Sequence, residues 1–281
     1  MNISQLTHPK DIFCYWIRER EDIRKQRADG VDKPWTDDWV FRQTFFCNVR
    51  REDDRVTKWI RENWTPKDFD SRADYEASMC IARLINWPKT LEMIKSSVVA
   101  KNWSHMEYLL CQARDNKIKV WGGAYVVTTH GRKIDKITWL VDTCRDVYNY
   151  PRWGNLPTTL RDAHAALKQL HGFSDFMAAQ VIADFKNTVS HPLATAEDWW
   201  TWAAPGPGSL RGMRWFFGEK VAKCHFMPRL CEVEDHLHLD GVFNDVGVIH
   251  CQDIQNCLCE YDKYMRVLFG TGHSKRKYPG V

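Results

Sequence analysis

One short segment concentrates side chains that could bind a phosphorylated, polar substrate. In FFCNVRREDDRVTKWIR, polar residues recur at Asn48, Arg51, Asp54 and Arg55. Residues three or four positions apart lie on the same face of a helix, so we expect these side chains to converge. A carboxamide, two guanidinium groups and a carboxylate there could hold a phosphate and the polar edge of a base. A solvated charged face is the alternative, although the aromatic stripe beside both arginines favours a binding site.

A second segment, EDWWTWAAPGPGSLRGMR, places a carboxylate among indole rings. Asp198 is followed by Trp199, and desolvation by such neighbours would raise the pKa of the carboxyl group and make it a usable general base. The PGPGSLRG portion offers backbone N–H groups beside Arg211, which predicts an anion-binding nest. A tryptophan-rich packing corner would explain the same composition without catalysis.

A third segment, DIQNCLCEYDKYMR, carries a polar ladder. Asp253, Asn256, Glu260 and Lys263 follow one another at intervals of three or four residues, so they form one stripe on a helix. The stripe faces either solvent or a cleft. Only a cleft would make Asp253, Asn256 and Lys263 part of a substrate site.

Two predicted helices flank the turn LHGFS. Gly172 can adopt the positive φ that such a corner requires. The arrangement resembles the hairpin of helix-hairpin-helix proteins, in which N–H groups at the start of the second helix hold a DNA phosphate. By that resemblance His171, Gly172 and Ser174 would contact DNA, and Lys275 and Arg276 of the basic tail would add positive charge. A plain helical hairpin is the alternative.

Apolar residues at helical spacing predict a mostly α chain. Helices are expected at about 11–28, 37–64, 71–86, 89–101, 103–115, 134–148, 157–170, 174–187 and 251–269. The stretch IKVWGGAYVVTT, at 118–129, is either a short strand or an extended loop, and the chain after residue 190 is expected to be irregular. With no internal repeat and no long linker, we expect one domain over residues 1–281 that can divide into two lobes, with a flexible tail at about 270–281.

The composition is that of a folded globular protein, with 44% hydrophobic and 27% charged residues. The net charge of +4 is too small to require a polyanionic partner. The 14 tryptophans suit either a core or stacking on bases. No apolar run is long enough for a membrane span and the N-terminus does not resemble a secretory leader, so we expect no membrane association and reduced cysteines.

Several motifs with well-understood chemistry are absent from the sequence. It contains no G-x-x-x-x-G-K-[ST] phosphate loop, no G-x-G-x-x-G after a strand and no H-E-x-x-H. Cys224, His225, Cys231, His236 and His238 lie close together, but their spacing matches no standard zinc site. We therefore favour packed thiols and surface imidazoles there and assign no metal ligand.

Four segments, taken in order, resemble one protein family. They are NVRREDDR, the hairpin LHGFSDFMAAQVIADF, the turn AAPGPGSLRG and the ladder DIQNCLCEYDKY. This set resembles the α-glutamyl/putrescinyl thymine pyrophosphorylases, also called amino acid:DNA transferases, a bacteriophage family that overlaps the helical domain of 5-hydroxymethyluracil DNA kinases. The resemblance covers about residues 35–279.

The resemblance implies a helix-hairpin-helix fold of the DNA-glycosylase type, used for a different reaction. Such a transferase replaces the phosphate or pyrophosphate on 5-hydroxymethyluracil in phage DNA by an amine, for example glycine, glutamate or putrescine. The hypermodified thymine protects viral DNA from host nucleases. Because the exocyclic carbon is shielded in a duplex, the base must leave the stack.

The resemblance also suggests a role for each candidate residue. Arg51, Arg55 and Arg211 would stabilise the departing phosphate. Asp198 would accept a proton from the attacking amine. Asn48 would read the uracil edge, and Asp54 would orient one of the arginines. Trp199 would form a wall of the base pocket.

The implied partners are DNA containing modified uracil, an amine donor and a 5-hydroxymethyluracil DNA kinase, in the cytoplasm of an infected bacterium. No cofactor is required, although a hairpin of this kind can hold a monovalent cation. Two alternatives remain. A glycosylase would need an activated water or a lysine beside the hairpin, and neither Lys168 nor Lys186 has the usual position. A non-catalytic helical module of a kinase is the other alternative.

Overall fold

The computed structural model describes residues 7–123, 128–129 and 131–272, and it confirms a mostly α protein. Helices account for 64% of the structure, and the described ranges contain no β-strand. None of the helices in those ranges is both long and apolar enough to cross a bilayer. All ten cysteines are free thiols.

The α-helices are numbered in chain order. They are α1 (Pro9–Ala28), α2 (Trp39–Gln43), α3 (Arg55–Asn63), α4 (Arg72–Ile85), α5 (Pro88–Val99), α6 (Trp103–Asp115), α7 (Lys136–Tyr148), α8 (Leu160–Leu167), α9 (Asp175–Lys186), α10 (Pro207–Phe217), α11 (Phe226–Leu239), α12 (Val242–Val246) and α13 (Cys251–Leu268). They belong to two compact units. Unit 1 combines Met1–Asp54 with Trp200–Val281, and unit 2 is the continuous stretch Arg55–Trp199.

Aromatic side chains of α1, α2 and α13 form the core of unit 1. The Trp16 ring stacks on Phe41 with centroids 6.1 Å apart, and Phe41 in turn lies 5.4 Å from Tyr264. Phe13 packs 5.0 Å from Tyr261. Large buried rings of this kind contribute strongly to stability, and here they hold the two segments of unit 1 together.

Asp38 links the same three helices through hydrogen bonds. Its Oδ1 accepts the backbone N–H of Val40 at 2.7 Å and so caps α2. Its Oδ2 accepts the hydroxyl groups of Tyr15, at 3.1 Å, and Tyr264, at 2.6 Å. Burial and the adjacent Asp38 carboxylate raise the pKa of both tyrosines, which therefore remain hydroxyl donors. The buried carboxylate is thus well satisfied.

The single helix predicted from residue 37 to residue 64 is wrong. The cap is Asp38 rather than Thr36, and α2 ends at Gln43. Residues 44–50 follow as a loop, a 3-10 turn covers Arg51–Asp53, and α3 begins at Arg55. Asn48, Arg51, Asp54 and Arg55 therefore do not share a helical face.

In unit 2, α4 is the most buried helix, and its buried charged residues pair with α9 and with the loops on either side of the α8–α9 hairpin. The Arg83 guanidinium forms a two-pronged ion pair with Asp184 of α9, one contact being 2.5 Å from Nε to Oδ2. Glu76 accepts the Nε2 hydrogen of His191 at 3.1 Å and the Gly154 N–H at 2.6 Å. Buried charges need such partners, because an unpaired one would cost several kcal/mol, on the order of 3–5.

Two expectations remain, one for the stretch at 118–129 and one for the chain after residue 190. Residues 118–123 form no strand and are extended loop, while 124–127 of the same stretch lie outside the described residues. The expectation of irregular structure after residue 190 is wrong, because α10, α11 and α12 all lie there. Proline and glycine around 205–208 conceal the start of α10, where Pro207 occupies the first helical position that proline tolerates.

Candidate functional site

The loop between α2 and α3 is held by polar side chains of α13. The Lys263 ammonium donates to the carbonyl of Phe45 at 2.9 Å. The Glu260 carboxylate accepts the backbone N–H of Cys47 at 2.9 Å and pairs with Lys263 at 2.6 Å. Backbone groups in a loop have no ladder partner, so side chains must satisfy them.

The same stripe continues toward the start of α13. Asp253 accepts the backbone N–H of Arg51 at 3.0 Å, and its other oxygen lies 3.2 Å from the Nε2 of His250. The Asn256 amide donates to the carbonyl of Asn48 at 3.2 Å. The polar ladder therefore faces neither solvent nor an open cleft, because it binds the backbone of this loop.

The buried side chain of Arg20, on α1, holds the loop from another direction. Its Nε donates to the carbonyl of Cys47 at 2.9 Å, and its Nη2 donates to the amide oxygen of Asn48. The Asn48 amide nitrogen donates in turn to the carbonyl of Asp53 at 2.8 Å. Both ends of the Asn48 amide are thus engaged within the protein, so it would read a base edge only by exchanging one of these bonds.

We call this set the loop clamp: Arg20 of α1 with Asp253, Asn256, Glu260 and Lys263 of α13. The sequence identified three of the five members as candidates. Arg20 was missed because it lies in a charged stretch of α1 that resembles a solvated face. Its buried position could have been inferred from the sequence, because Arg20 lies four residues after the core residue Trp16 and so shares the buried side of the helix.

Thiols beside the loop clamp are poor nucleophiles. Burial raises the pKa of the Cys257 thiol well above its ordinary value, and the S–H group donates to the carbonyl of Val49 at 3.6 Å. Burial, followed by the Glu260 charge, raises the pKa of Cys259 to about 11. Both remain protonated near neutral pH, which argues against covalent catalysis through either thiol.

A small pocket, with a cavity volume of about 20 Å³, opens beside the loop clamp and shares Arg20 with it. Its walls are Arg20, Ile23, Arg27, Phe41, Thr44 and Phe46. The Lys263 ammonium lies 4.9 Å above the Phe46 ring. Its lining combines two guanidinium groups and a hydroxyl with two aromatic rings that are themselves buried in the core of unit 1. We call it the arginine–phenylalanine pocket.

Arg211 lies on a different part of unit 1. Its Nε pairs with Asp262 at 2.9 Å, and Arg266 and Trp215 contact the same carboxylate at 3.3 Å. Arg211 is exposed, whereas Asp262 is buried. The Arg211 guanidinium therefore lies at the surface of unit 1, and its Nε is bound by the buried Asp262 carboxylate.

The glycines around Arg211 belong to a helix rather than to an anion-binding nest. A Cβ on Gly208 would lie 2.2 Å from the Sγ of Cys259, and one on Gly212 would lie 2.0 Å from the carbonyl oxygen of Leu258. The two positions are four residues apart and face α13. Glycine is required there because the two backbones approach closely.

In unit 2, α8 and α9 form the hairpin that the sequence predicts. Gly172 has a φ of +83°, and a Cβ there would meet Trp139 and Thr143 at 3.4 Å. Lys168 pairs with Asp175 at 2.6 Å across the turn. His171 and Ser174 are exposed at the turn, and within the described chain the Ser174 side chain makes no capping bond to α9. Lys275 and Arg276 lie outside the described residues.

Asp198 caps α8. Its two carboxylate oxygens accept the backbone N–H groups of Leu160, at 2.7 Å, and Arg161, at 3.0 Å. The Thr159 hydroxyl accepts the next N–H, that of Asp162, at 3.1 Å. Three N–H groups at the start of α8 are thereby satisfied, which gives Asp198 a structural role. Its expected role as a base stays a prediction.

Trp199 pairs with a buried lysine. The Lys186 ammonium donates to the Trp199 carbonyl at 2.8 Å and lies 3.9 Å above the indole ring, whose N–H donates back to the Lys186 carbonyl at 2.9 Å. Trp202, by contrast, is buried in unit 1. The tryptophans of this segment therefore serve packing in both units.

Comparison with known proteins identifies the family. The sequence profile described as the helical domain of 5-hmdU DNA kinase, where 5-hmdU is 5-hydroxymethyldeoxyuridine, matches residues 7–274. The chain belongs to this family. No curated protein and no solved structure matches it significantly.

Membership in the 5-hmdU DNA kinase helical-domain family places the chain in the context of 5-hydroxymethyluracil modification in DNA. The match spans both units, so it includes the loop clamp, the arginine–phenylalanine pocket and the hairpin. Of the residues predicted from sequence, the structure brings together Asn48, Arg51, Asp253, Asn256 and Lys263. Arg211 lies elsewhere on unit 1, and Arg55, Asp198, Trp199 and the hairpin residues belong to unit 2.

Proposed function

We propose that this chain modifies DNA by replacing the phosphate or pyrophosphate on 5-(phosphomethyl)- or 5-(pyrophosphomethyl)-deoxyuridine with an amine. A 5-hmdU kinase forms the phosphorylated base, so a helical domain of that family would meet this base in DNA. The proposal sets the chain in the cytoplasm of a phage-infected bacterium, where hypermodified thymine would protect the viral genome. The amine donor is an amino acid or a polyamine.

The observation that carries the proposal is membership in the 5-hmdU DNA kinase helical-domain family, and the arginine–phenylalanine pocket is the part of unit 1 that we assign to the base. Phe41 and Phe46 line the pocket but are buried in the core of unit 1, so a flipped pyrimidine could stack on them only if the adjoining loop moved. Arg20 and Arg27 offer positive charge next to those rings, where a phosphate leaving group develops negative charge. The pocket holds only about 20 Å³ in this structure, so admitting a base would require its walls to move apart.

The reaction requires one bond to form and one to break. The amine nitrogen attacks the exocyclic carbon, the carbon–oxygen bond to phosphate breaks, and the amine loses a proton. Asp198 is the acceptor expected from sequence, whereas the Glu260 carboxylate is occupied by Lys263 and the Cys47 N–H. Arg51, Arg55 and Arg211 remain candidates for phosphate contact, with Asp54 orienting an arginine.

Contact with the DNA backbone is assigned to the hairpin. Its exposed turn, with His171, Gly172 and Ser174, precedes the N-terminus of α9, where backbone N–H groups favour phosphate. A monovalent cation at this turn is part of the same proposal. DNA binding of this kind weakens as salt rises, because phosphate contacts release counterions.

A second candidate function is a non-catalytic helical module that presents DNA to a 5-hmdU kinase. The family description itself favours it, because that family is named as a domain of the kinase. The 281 residues contain no G-x-x-x-x-G-K-[ST] motif, so in this case a separate kinase domain would supply the phosphate chemistry.

One experiment separates these functions. An oligonucleotide with enzymatically phosphorylated 5-hydroxymethyluracil is incubated with the chain and a mixture of amino acids and polyamines, then digested to nucleosides for mass spectrometry. A nucleoside that has gained an amine and lost phosphate supports the transferase and identifies the donor. An abasic site would indicate a glycosylase. Unchanged DNA that is still bound would favour the helical module.

A further inference from the structure

A cysteine, a histidine and an aspartate converge in unit 1, away from the loop clamp. Cys14 lies on α1, His236 lies on α11, and Asp240 follows the end of α11. The Sγ of Cys14, a ring nitrogen of His236 and a carboxylate oxygen of Asp240 all lie within 4.8 Å of one another. His236 and Asp240 are four positions apart, so they project from the same side of α11.

We propose that Cys14, His236 and Asp240 bind a zinc ion. One sulfur, one imidazole nitrogen and one carboxylate oxygen are all ligands that Zn²⁺ takes in proteins. A tetrahedral zinc with bonds of about 2.0–2.3 Å holds its ligand atoms roughly 3.3–3.8 Å apart. Side-chain rotations that move these three atoms by about one ångström would therefore bring them to zinc-binding distance. A fourth position is left for water or an external ligand.

The local contacts favour a cation between these residues. The Nε2 atom of His236 is buried and has no hydrogen-bond partner within the described part of the chain, so a metal would satisfy a costly polar group. Phe216 packs against the imidazole with ring centroids 5.3 Å apart and fixes its orientation.

Asp240 has a reason of its own to attract a cation. It is the C-cap of α11, where a negative charge lies at the unfavourable end of the helix dipole. Arg18 partly offsets this, because it donates to the Asp240 carboxylate at 2.6 Å and to its carbonyl at 2.8 Å. Such an outer-sphere partner also orients a metal-binding carboxylate.

Cys14 supplies the remaining ligand from the buried side. Its thiol is buried, and the Sγ that carries the proton lies within 4.8 Å of a carboxylate oxygen of Asp240. A bound metal would take the place of this proton, because the thiolate is the form that coordinates zinc. The site could not be predicted from the sequence, because Cys14 is 222 positions from His236 and 226 from Asp240. The spacing of the neighbouring Cys224, Cys231 and His238 gives no indication of it.

The test is metal binding by the full chain, purified under reducing conditions with chelator, dialysed to remove the chelator, then incubated with excess Zn²⁺ and desalted. We expect about one zinc per chain by elemental analysis. With Co²⁺ as the probe, we expect a thiolate charge-transfer band and the intense visible bands of a four-coordinate centre. Replacing a ligand, by Cys14→Ala, His236→Asn or Asp240→Asn, should weaken binding by more than the roughly 10–100-fold that loss of an outer-sphere partner costs.

Each variant has a matched control. Cys231→Ala and His238→Asn remove exposed ligand types from α11 itself, and Asp245→Asn removes the other carboxylate that pairs with Arg18, at 2.5 Å. These three should bind zinc as the unaltered chain does. If Cys14→Ala fails to fold, Asp240→Asn decides, because Asp240 is exposed. No stoichiometric metal, or binding that depends on Cys231 or His238 and not on Asp240, would overturn the site.

Discussion

The Glu260 carboxylate accepts the backbone N–H of Cys47 at 2.9 Å, although the two residues are 213 positions apart. The same carboxylate pairs with Lys263, which donates to the carbonyl of Phe45. One helix therefore fixes the loop that borders the arginine–phenylalanine pocket, and it does so through the backbone of the loop. The shape of that loop consequently depends less on its own side chains than on those of α13.

Glu260→Ala should destabilise unit 1 by about 1–3 kcal/mol, because the Cys47 N–H loses its acceptor while remaining partly buried. Glu260→Gln keeps an acceptor oxygen and should cost less. Urea unfolding followed by tryptophan fluorescence measures both. Glu232→Ala, at an exposed position of α11, should stay within about 0.5 kcal/mol and serves as the control. Equal losses for the Ala and Gln variants would contradict the role of the hydrogen bond.

The helices of unit 2 from α4 onward, together with α1 and α13 of unit 1, could be predicted from the sequence. Their apolar periodicity is regular, and their boundaries agree within a few residues; the helix expected at 251–269, for example, is α13, Cys251–Leu268. The loop at 44–54 could not be predicted in this way. Its aromatic residues continue the helical spacing, and the polar partners that stabilise a non-helical backbone there lie on the distant helices α1 and α13.

Sequence analysis predicted which residues of α13 form the candidate site, but not what those residues bind. The ladder Asp253, Asn256, Glu260 and Lys263 was visible because helical spacing is a local property of sequence. What the ladder binds was not visible, since that depends on contacts between distant segments. Asp198 illustrates the same limit: a carboxylate beside tryptophans suggests a base, whereas the structure gives it the N–H groups at the start of α8.

Arg20→Lys tests the arginine–phenylalanine pocket. A lysine cannot donate to both the Cys47 carbonyl and the Asn48 amide from the positions that a planar guanidinium provides. We expect the turnover of phosphorylated DNA to fall at least tenfold while affinity for unmodified DNA stays within a few-fold. Arg229→Lys, which keeps a charge on the outer side of α11, is the control. Unchanged turnover in Arg20→Lys would remove Arg20 from the site.

Asp198→Ala should destabilise unit 2 by about 1–2 kcal/mol, the usual cost of losing a helix cap. Asp198→Asn retains an oxygen acceptor and should cost less than half as much. If Asp198 also accepts the amine proton, Asn will abolish transfer as completely as Ala, even though it folds better. Comparing thermal unfolding with nucleoside mass spectrometry separates the two roles. Glu197→Ala, at the exposed neighbouring position, should change neither.

Gly212→Ala should separate α10 from α13, because the added Cβ would lie 2.0 Å from the carbonyl oxygen of Leu258. Overpacking of this kind costs about 1–3 kcal/mol, and more where backbone rather than a side chain must move. Gly206→Ala is the matched control, since the nearest atom there is 3.3 Å away on the mobile Gln255 side chain. Denaturant midpoints measure the difference, and equal midpoints would contradict the close approach of the helices.

Gly172→Ala tests the hairpin as a DNA contact. Its positive φ makes alanine unfavourable by about 1 kcal/mol, and the methyl group would press on Trp139. We expect DNA affinity to fall at least tenfold, and the dependence of binding on salt to become shallower as phosphate contacts are lost. Gly131→Ala carries similar strain at φ +79° with no neighbour within 4 Å, so it should leave DNA binding unchanged. Equal effects of the two variants on binding would indicate general destabilisation instead.

The division of unit 1 into two segments has a consequence for the order of events on the ribosome. Residues 55–199 form a continuous unit, so unit 2 can fold as soon as it has left the exit tunnel. The N-terminal segment of unit 1 is made first yet must wait for α13, which carries most of the loop clamp. During that interval the aromatic face of α1 remains exposed, and we expect nascent chains arrested before residue 251 to require chaperone protection that later ones do not.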